Sequence, residues 1–131
     1  MDILISINPE YVDKIVKGEK RYEFRKRRIN IDGVDRFYIY STAPVKKIVA
    51  RMVVDRVIEG TPKEIWSACR RYSGVDEKDF YGYYAGSKVA YALSIKSVSP
   101  LRPPIDPYKK CRGFWPPQSY CYIRDGTLIK K

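Results

Sequence analysis

Apolar positions at the start of the chain change their spacing twice, which predicts a strand, a helix and a second strand. Residues 3–7 form an apolar run rich in β-branched side chains, typical of a buried strand. Asn8 can cap a helix whose apolar positions within residues 11–16 recur at helical spacing, and Gly18 ends that helix. Residues 20–26 alternate, so we expect a strand with one aromatic face and one charged face.

Four later segments carry strand patterns. Residues 34–40 and 48–58 are rich in β-branched and aromatic side chains, and the short loop 41–44 between them predicts an antiparallel pair. Residues 89–95 alternate, and residues 119–123 predict a last strand. Between these two strands we expect irregular structure because of four prolines: Pro100, Pro103, Pro104 and Pro107.

Capping motifs predict two helices in the middle of the chain. Thr61 and Glu64 have capping-box spacing, so a helix is predicted to run to about Tyr72 and to end at Gly74. A second, short helix with an aromatic face is predicted after Asp76.

These elements predict an α+β protein with a small curved sheet or barrel, because strands and helices do not alternate regularly. At 131 residues we expect one domain, residues 1–123, and a basic, loosely held tail, residues 124–131. Apolar runs stay far below the roughly 20 residues of a membrane-spanning helix. The chain also lacks a secretory signal pattern, so we expect a cytoplasmic protein without a membrane partner.

Composition adds a strong positive charge. Lys and Arg number 26 against 15 Asp and Glu, which gives a net charge of +11. This surplus favours an anionic partner, with plain solubility as the alternative. The 12 tyrosines add rings on which nucleic-acid bases can stack.

The absence of histidine excludes several kinds of chemistry. Ser-His-Asp and Cys-His nucleophiles and His-ligated zinc are impossible. Cys69, Cys111 and Cys121 lack C-x-x-C spacing, so we expect no metal and no cofactor. Buried thiols are the simplest interpretation, and a Cys111–Cys121 disulfide is the alternative. Scarce Asn and Gln beside many charged residues indicate a thermophilic source.

The densest positive charge lies in residues 17–28. This segment is interpreted either as a phosphate-binding site or as cations that protect an exposed strand edge. Glu23 lies between Arg21 and Arg25 on the predicted charged face. It is either an oriented hydrogen-bond acceptor for a base amine or a water, or a simple ion-pair partner. Lys20 either binds a phosphate as a cation or, if burial and neighbouring cations lower its pKa, acts as a base.

Three blocks of sequence resemble the ASCH domain family, which is PUA-like. After residues 6–11 and a short helix comes the motif G-x-K-x-x-E-x-R, here Gly18, Lys20, Glu23 and Arg25. The other blocks are residues 40–45 and 116–120. The pattern covers nearly the whole chain and is similar to the ASCH branch often labelled predicted transcriptional regulators.

The resemblance implies a PUA-like mixed β-barrel with flanking helices, and a cleft where residues 20–25 meet the loop 41–44. It also implies RNA or a modified nucleotide as the ligand. One ASCH branch of similar size is an amidohydrolase that acts on N4-acetylcytidine with a lysine, a threonine and a glutamate. Lys20 matches that lysine, whereas Glu23 occupies the threonine position.

The leading hypothesis is therefore a non-catalytic module that binds RNA or a modified nucleotide. The alternative is a small amidohydrolase with Lys20 and Glu23 as candidate catalytic residues. Base stacking is expected on Tyr22 or Tyr40, and DNA is disfavoured because no basic recognition helix is visible. Nine residues are predicted to bind the nucleic acid: Lys20, Arg21, Glu23, Arg25, Lys26, Tyr40, Ser41, Gln118 and Ser119.

Overall fold

The computed structural model describes residues 1–128, and in this range it contains six strands and four α-helices. The first half of these consists of β1 (Asp2–Ile7), α1 (Pro9–Val16), β2 (Tyr22–Arg25), β3 (Phe37–Ser41) and β4 (Lys47–Gly60). The second half consists of α2 (Pro62–Cys69) with a 3-10 turn (Arg70–Tyr72), α3 (Glu77–Tyr83), β5 (Ala90–Ile105), α4 (Pro107–Lys110) and β6 (Tyr120–Ile123).

All six strands form one sheet, in the order β2-β5-β4-β3-β1-β6, which curls into a half-barrel. β1 and β3 run parallel and the other neighbours run antiparallel, so the sheet is mixed. This confirms the α+β class and the curved mixed sheet with flanking helices. No helix in residues 1–128 is long and apolar enough to cross a membrane.

Local sequence signals placed the helix ends well. Thr61 and Glu64 form the complete capping box of α2, and the Asp76 side chain accepts a hydrogen bond from the Asp79 amide at the start of α3. Asn8 occupies the cap position of α1, but its side chain makes no capping hydrogen bond. It accepts a hydrogen bond from the Thr42 hydroxyl instead, at 3.3 Å.

The prediction that the prolines end regular structure after residue 95 is wrong for most of that segment. β5 continues through Pro100, Pro103 and Pro104 to Ile105. Ala50 pairs with Pro100 and Ile48 with Ile105, so β5 carries extra residues where its register with β4 shifts. Prolines are tolerated there because an irregular ladder does not need every backbone amide.

One further prediction needs correction. The strand after α1 begins at Tyr22 and not at residue 20, because Lys20 and Arg21 lie in the connection that passes the Ser73–Gly74 turn. In the segment after residue 123, residues 124–127 are exposed and Leu128 is buried in a cluster with Leu4 and other sheet residues, and the loosely held tail stays a prediction. Residues 129–131 of that tail lie outside the described range, and the domain boundary at 123 stays a prediction.

Two apolar clusters position the site. One packs α1 against β1, β3 and β4. The other joins β2, α2 and α3 through Phe24, Cys69, Phe80 and Tyr84. The carbonyls of Arg25 and Tyr91 share the single donor proton of the Tyr84 hydroxyl, at 3.0 and 3.1 Å, which fixes the end of α3 over β2.

Candidate functional site

A cavity of about 320 Å³, here called the central cavity, opens between β1, the start of α1, β2 and α3. Its charged lining comes from the motif residues Lys20, Glu23 and Arg25. Its remaining lining is polar, aliphatic and aromatic: Ser6, Ile7, Asn8, Tyr11, Phe24, Val75, Phe80 and Tyr83. Three of the predicted site residues therefore meet in one concave space.

Lys20 is 2% exposed, although it carries an amine. Its Nζ donates to the Ser73 carbonyl at 2.7 Å and lies 4.6 Å from the centre of the Phe24 ring. The pKa of Lys20 is lowered to about 8, chiefly by burial and in smaller part by Lys14 and Arg25, while Glu23 opposes the change. The charged form therefore still predominates near physiological pH, with a minority of these amines neutral.

Glu23 and Arg25 form a largely buried ion pair on β2. The Glu23 Oε2 atom accepts from Arg25 Nη2 at 2.7 Å and from Nε at 3.1 Å. Arg25 also donates to the Ser6 carbonyl and to the Ser119 hydroxyl, both at 3.0 Å. All three guanidinium nitrogens are thus engaged, and one Glu23 oxygen is committed to Arg25 while the carboxylate lines the cavity.

A second depression, the basic pocket, adjoins the central cavity and has a volume of about 410 Å³. Arg25 and Tyr83 line both, and the basic pocket adds Lys26, Arg27, Arg28, Ile29, Ser119 and Tyr120. The Lys26 ammonium lies 4.8 Å from the centre of the Tyr83 ring. This pocket concentrates positive charge beside the cavity, as a phosphate-binding surface requires.

The other predicted site residues are not in the central cavity. Arg21 is exposed and stacks on Tyr72, with 4.1 Å between the guanidinium carbon and the ring centre. Ser41 is buried and lines none of the depressions described here. Gln118 lines a third depression, described below.

Neither tyrosine proposed for base stacking has an open ring face in the central cavity. Tyr40 is only 2% exposed, its ring packs on Phe114, and its hydroxyl is 2.7 Å from that of Tyr108. Tyr22 is half-buried against the second cluster. The expected stacking on Tyr40 therefore conflicts with its burial.

Tyr11 and Tyr83 are ring-bearing cavity residues that the sequence interpretation did not assign to the site. Tyr83 is 42% exposed at the cavity edge, whereas Tyr11 lies 5.4 Å from the Lys20 ammonium. Burial raises the pKa of both hydroxyls, so they stay protonated donors near neutrality. The aromatic face predicted for α3 was the available signal for Tyr83.

Within residues 1–128, one cluster of acidic side chains is compact enough to hold a cation, and it consists of Asp2, Asp35 and Asp125. The terminal ammonium of Met1 already contacts it, at 3.5 Å from Asp35 and 2.7 Å from Asp125. Cys69, Cys111 and Cys121 are free thiols, so the alternative disulfide is not formed in this structure.

The turn that holds Lys20 supplies a test of the site's packing. Gly74 has φ +71°, and an added Cβ would lie 2.5 Å from the Lys20 Cβ. Gly86 has φ +81° and no neighbour within 4 Å of an added Cβ. Gly86→Ala is expected to cost about 1–2 kcal/mol from the left-handed backbone. Gly74→Ala is expected to lower the free energy of unfolding, measured in urea, by clearly more than Gly86→Ala does. Equal losses for the two variants would contradict the tight fit around Lys20.

Comparisons with known proteins identify the family and the fold of the chain. The ASCH domain model matches residues 5–99. An ASCH domain-containing ribonuclease from Zymomonas mobilis is 33% identical over 126 residues, which cover 94% of this chain and 84% of that protein. The crystal structure of ASCH from Zymomonas mobilis superposes with a TM-score of 0.88 at 31% identity, covering 98% of this chain and 92% of that one.

A more distant relative is a ribosomal protein. The large ribosomal subunit protein uL22 of Ureaplasma parvum is 27% identical over 124 residues, covering 93% of this chain but 39% of that protein. These relatives do not support the expected branch of predicted transcriptional regulators. The family model and the ribonuclease match nonetheless agree over most of the length, and the chain belongs to the ASCH domain family.

Proposed function

We propose that the protein binds RNA, with one nucleotide in the central cavity and its phosphates on the basic pocket. The observation that carries this proposal is the cavity itself, which joins a buried amine, a carboxylate held by an arginine and an aromatic rim. A volume of about 320 Å³ is within the range of small-ligand sites. The carboxylate can accept from a base amine, and Tyr83 offers a ring for stacking.

The charge distribution supports a polyanionic ligand. The net charge is +11, and four consecutive cations, Arg25 to Arg28, line the basic pocket. A relative described as a ribonuclease and another described as a ribosomal protein are consistent with RNA as that ligand.

RNA binding of this kind is expected to weaken steeply with salt. About five phosphate contacts give a slope near −3.5 in a plot of log affinity against log salt concentration. The variant Lys26→Ala/Arg27→Ala is expected to make that slope shallower by about 1.4. As a matched control, Lys63→Ala/Lys96→Ala removes the same charge from exposed residues that do not line the pocket. Fluorescence anisotropy with a short single-stranded RNA measures both, and an affinity insensitive to salt rejects the proposal.

A second candidate function, cleavage of RNA, is favoured by the lowered pKa of Lys20, about 8, and by the ribonuclease among the relatives. It departs from the non-catalytic hypothesis drawn from the sequence. The Lys20 lone pair would take the proton of a ribose 2′-hydroxyl while the 2′-oxygen bonds to the adjacent phosphorus and the P–O5′ bond breaks. The leaving 5′-oxygen takes a proton from water, and the resulting hydroxide takes the proton from Lys20.

The products distinguish this reaction from the alternatives. Cleavage through Lys20 leaves a 2′,3′-cyclic phosphate and a 5′-hydroxyl, whereas attack by water at the same phosphorus with release of O3′ leaves a 5′-phosphate. Incubation of N4-acetylcytidine in parallel tests the amidohydrolase alternative, since release of acetate would favour it. RNA that remains intact in repeated incubations, with binding retained, would leave the non-catalytic module as the function.

A further inference from the structure

A third depression, here called the tryptophan groove, lies beside the central cavity and is the largest of those described, at about 670 Å³. Its most unusual member is Trp115, which is 87% exposed. Tyr108, 43% exposed, and the Pro116–Pro117 pair line the same groove. Large rings left open to water on a described surface indicate a binding site, because their burial by a partner is favourable.

The groove and the central cavity share Ser6. The Ser6 hydroxyl donates to the Pro117 carbonyl at 2.7 Å, and its own carbonyl accepts from Arg25. Of the next residues after Pro117, Gln118 lines the groove, whereas the Ser119 hydroxyl accepts a hydrogen bond from Arg25, which lines the central cavity. Ser6 therefore lies between the central cavity and the groove, so that a strand leaving the cavity over Ser6 would reach the groove.

The charge of the groove favours an anionic chain. Lys46 lines it, and Lys109 and Lys110 follow Tyr108 on α4, both exposed. No acidic side chain lines the groove in residues 1–128. Rings to stack on and cations for phosphates are the two features that single-stranded nucleic-acid sites combine.

We propose that the tryptophan groove is a second nucleotide subsite, in which the base next to the one in the central cavity stacks on Trp115 and a phosphate contacts Lys46. The inference rests on the proposed RNA-binding function and deepens it. It makes the ligand an RNA strand of at least two nucleotides, because a free nucleoside would fill the central cavity alone.

The test compares a uridine hexamer with uridine monophosphate. Trp115→Ala is expected to weaken hexamer binding by about tenfold or more and to leave monophosphate binding unchanged. Trp115→Phe keeps a ring and is expected to recover most of the lost affinity. Lys46→Ala is expected to make the salt slope for the hexamer shallower by about 0.7. Because Trp115 is nearly fully exposed, these variants keep the packed core intact.

The outcomes separate this inference from the proposed function. If the wild-type protein does not bind the hexamer, the proposed RNA-binding function fails. If it binds, but Trp115→Ala binds equally well, the second subsite is wrong and the RNA-binding function stands. Equal losses for hexamer and monophosphate would place Trp115 in the first subsite. If the wild-type protein is a dimer in size-exclusion chromatography and Trp115→Ala is a monomer with unchanged RNA affinity, the groove is an interface between two copies of this chain and the second subsite is wrong.

Discussion

Cleavage of RNA through Lys20, the second candidate function, predicts that replacing Lys20 by methionine slows cleavage strongly while the protein stays folded. Methionine fills a similar volume against Phe24 and Tyr11 but has no lone pair to accept the 2′-hydroxyl proton. General-base catalysis contributes about 10²–10⁴-fold, so the rate of RNA cleavage should fall by that factor. In the wild-type protein the rate should rise with pH and level off above about pH 8, where Lys20 is neutral.

The same substitution has a second effect, on stability, that does not depend on any substrate. The pKa of Lys20 is about 8 in the folded protein against 10.5 for a free lysine. Between these values the unfolded chain binds more protons than the folded one, so this group makes stability rise with pH. The rise amounts to about 3 kcal/mol between pH 8 and pH 10.5. The full rise in stability is reached only above pH 10.5, and the Lys20→Met variant should not show it.

Urea unfolding of both proteins across this pH range measures the effect as a difference. The difference is needed because burial also raises the pKa of Cys69, to about 11. That shift makes the free energy of unfolding fall with pH over an overlapping pH range, and it therefore opposes the effect of Lys20. Lys63→Met, at an exposed position on α2, is the matched control and should follow the wild-type protein. If the free energy of unfolding changes with pH in the same way in the wild-type protein and in Lys20→Met, the predicted cost of burying the Lys20 ammonium is wrong.

Lys20 also illustrates what the sequence could and could not predict. Caps and glycine stops are local signals, so the ends of α1, α2 and α3 were predictable from a few neighbouring residues. The burial of Lys20 is not local, because it depends on the carbonyl of Ser73, 53 residues away. The alternating pattern placed this lysine at the start of a strand, whereas the structure places it in a connection covered by the Ser73–Gly74 turn.

The same distinction applies to the rest of the site. Glu23 and Arg25 were predictable as partners because they are two apart on one strand. The contacts of Arg25 with Ser6 and Ser119 required the curvature of the sheet, which brings β1 and the segment before β6 next to β2. Nothing in the local pattern around Trp115 indicates that its ring would line a groove together with Tyr40 and Lys46.

Removing Arg25 is expected to produce the largest loss of stability among the site variants. Arg25→Ala leaves the Glu23 carboxylate, 7% exposed, without its charged partner. Breaking a buried pair from one side costs about 3–5 kcal/mol, because the remaining charge stays desolvated. The exposed pair of Arg28 and Glu59 provides the control, and Arg28→Ala should cost at most about 1 kcal/mol.

A double variant shows whether the stranded charge is the cause. Glu23→Gln in the Arg25→Ala background removes the charge and keeps the shape, so it should recover most of the lost free energy of unfolding. Urea titrations of the single and double variants measure this recovery. If the double variant is as unstable as Arg25→Ala, the loss comes from the contacts of Arg25 with Ser6 and Ser119, and its main role is to join the strands around the cavity. If the double variant recovers its stability, the main role of Arg25 is to neutralise the Glu23 carboxylate. That neutralisation allows the carboxylate to stay buried in the cavity wall, where a ligand can reach it.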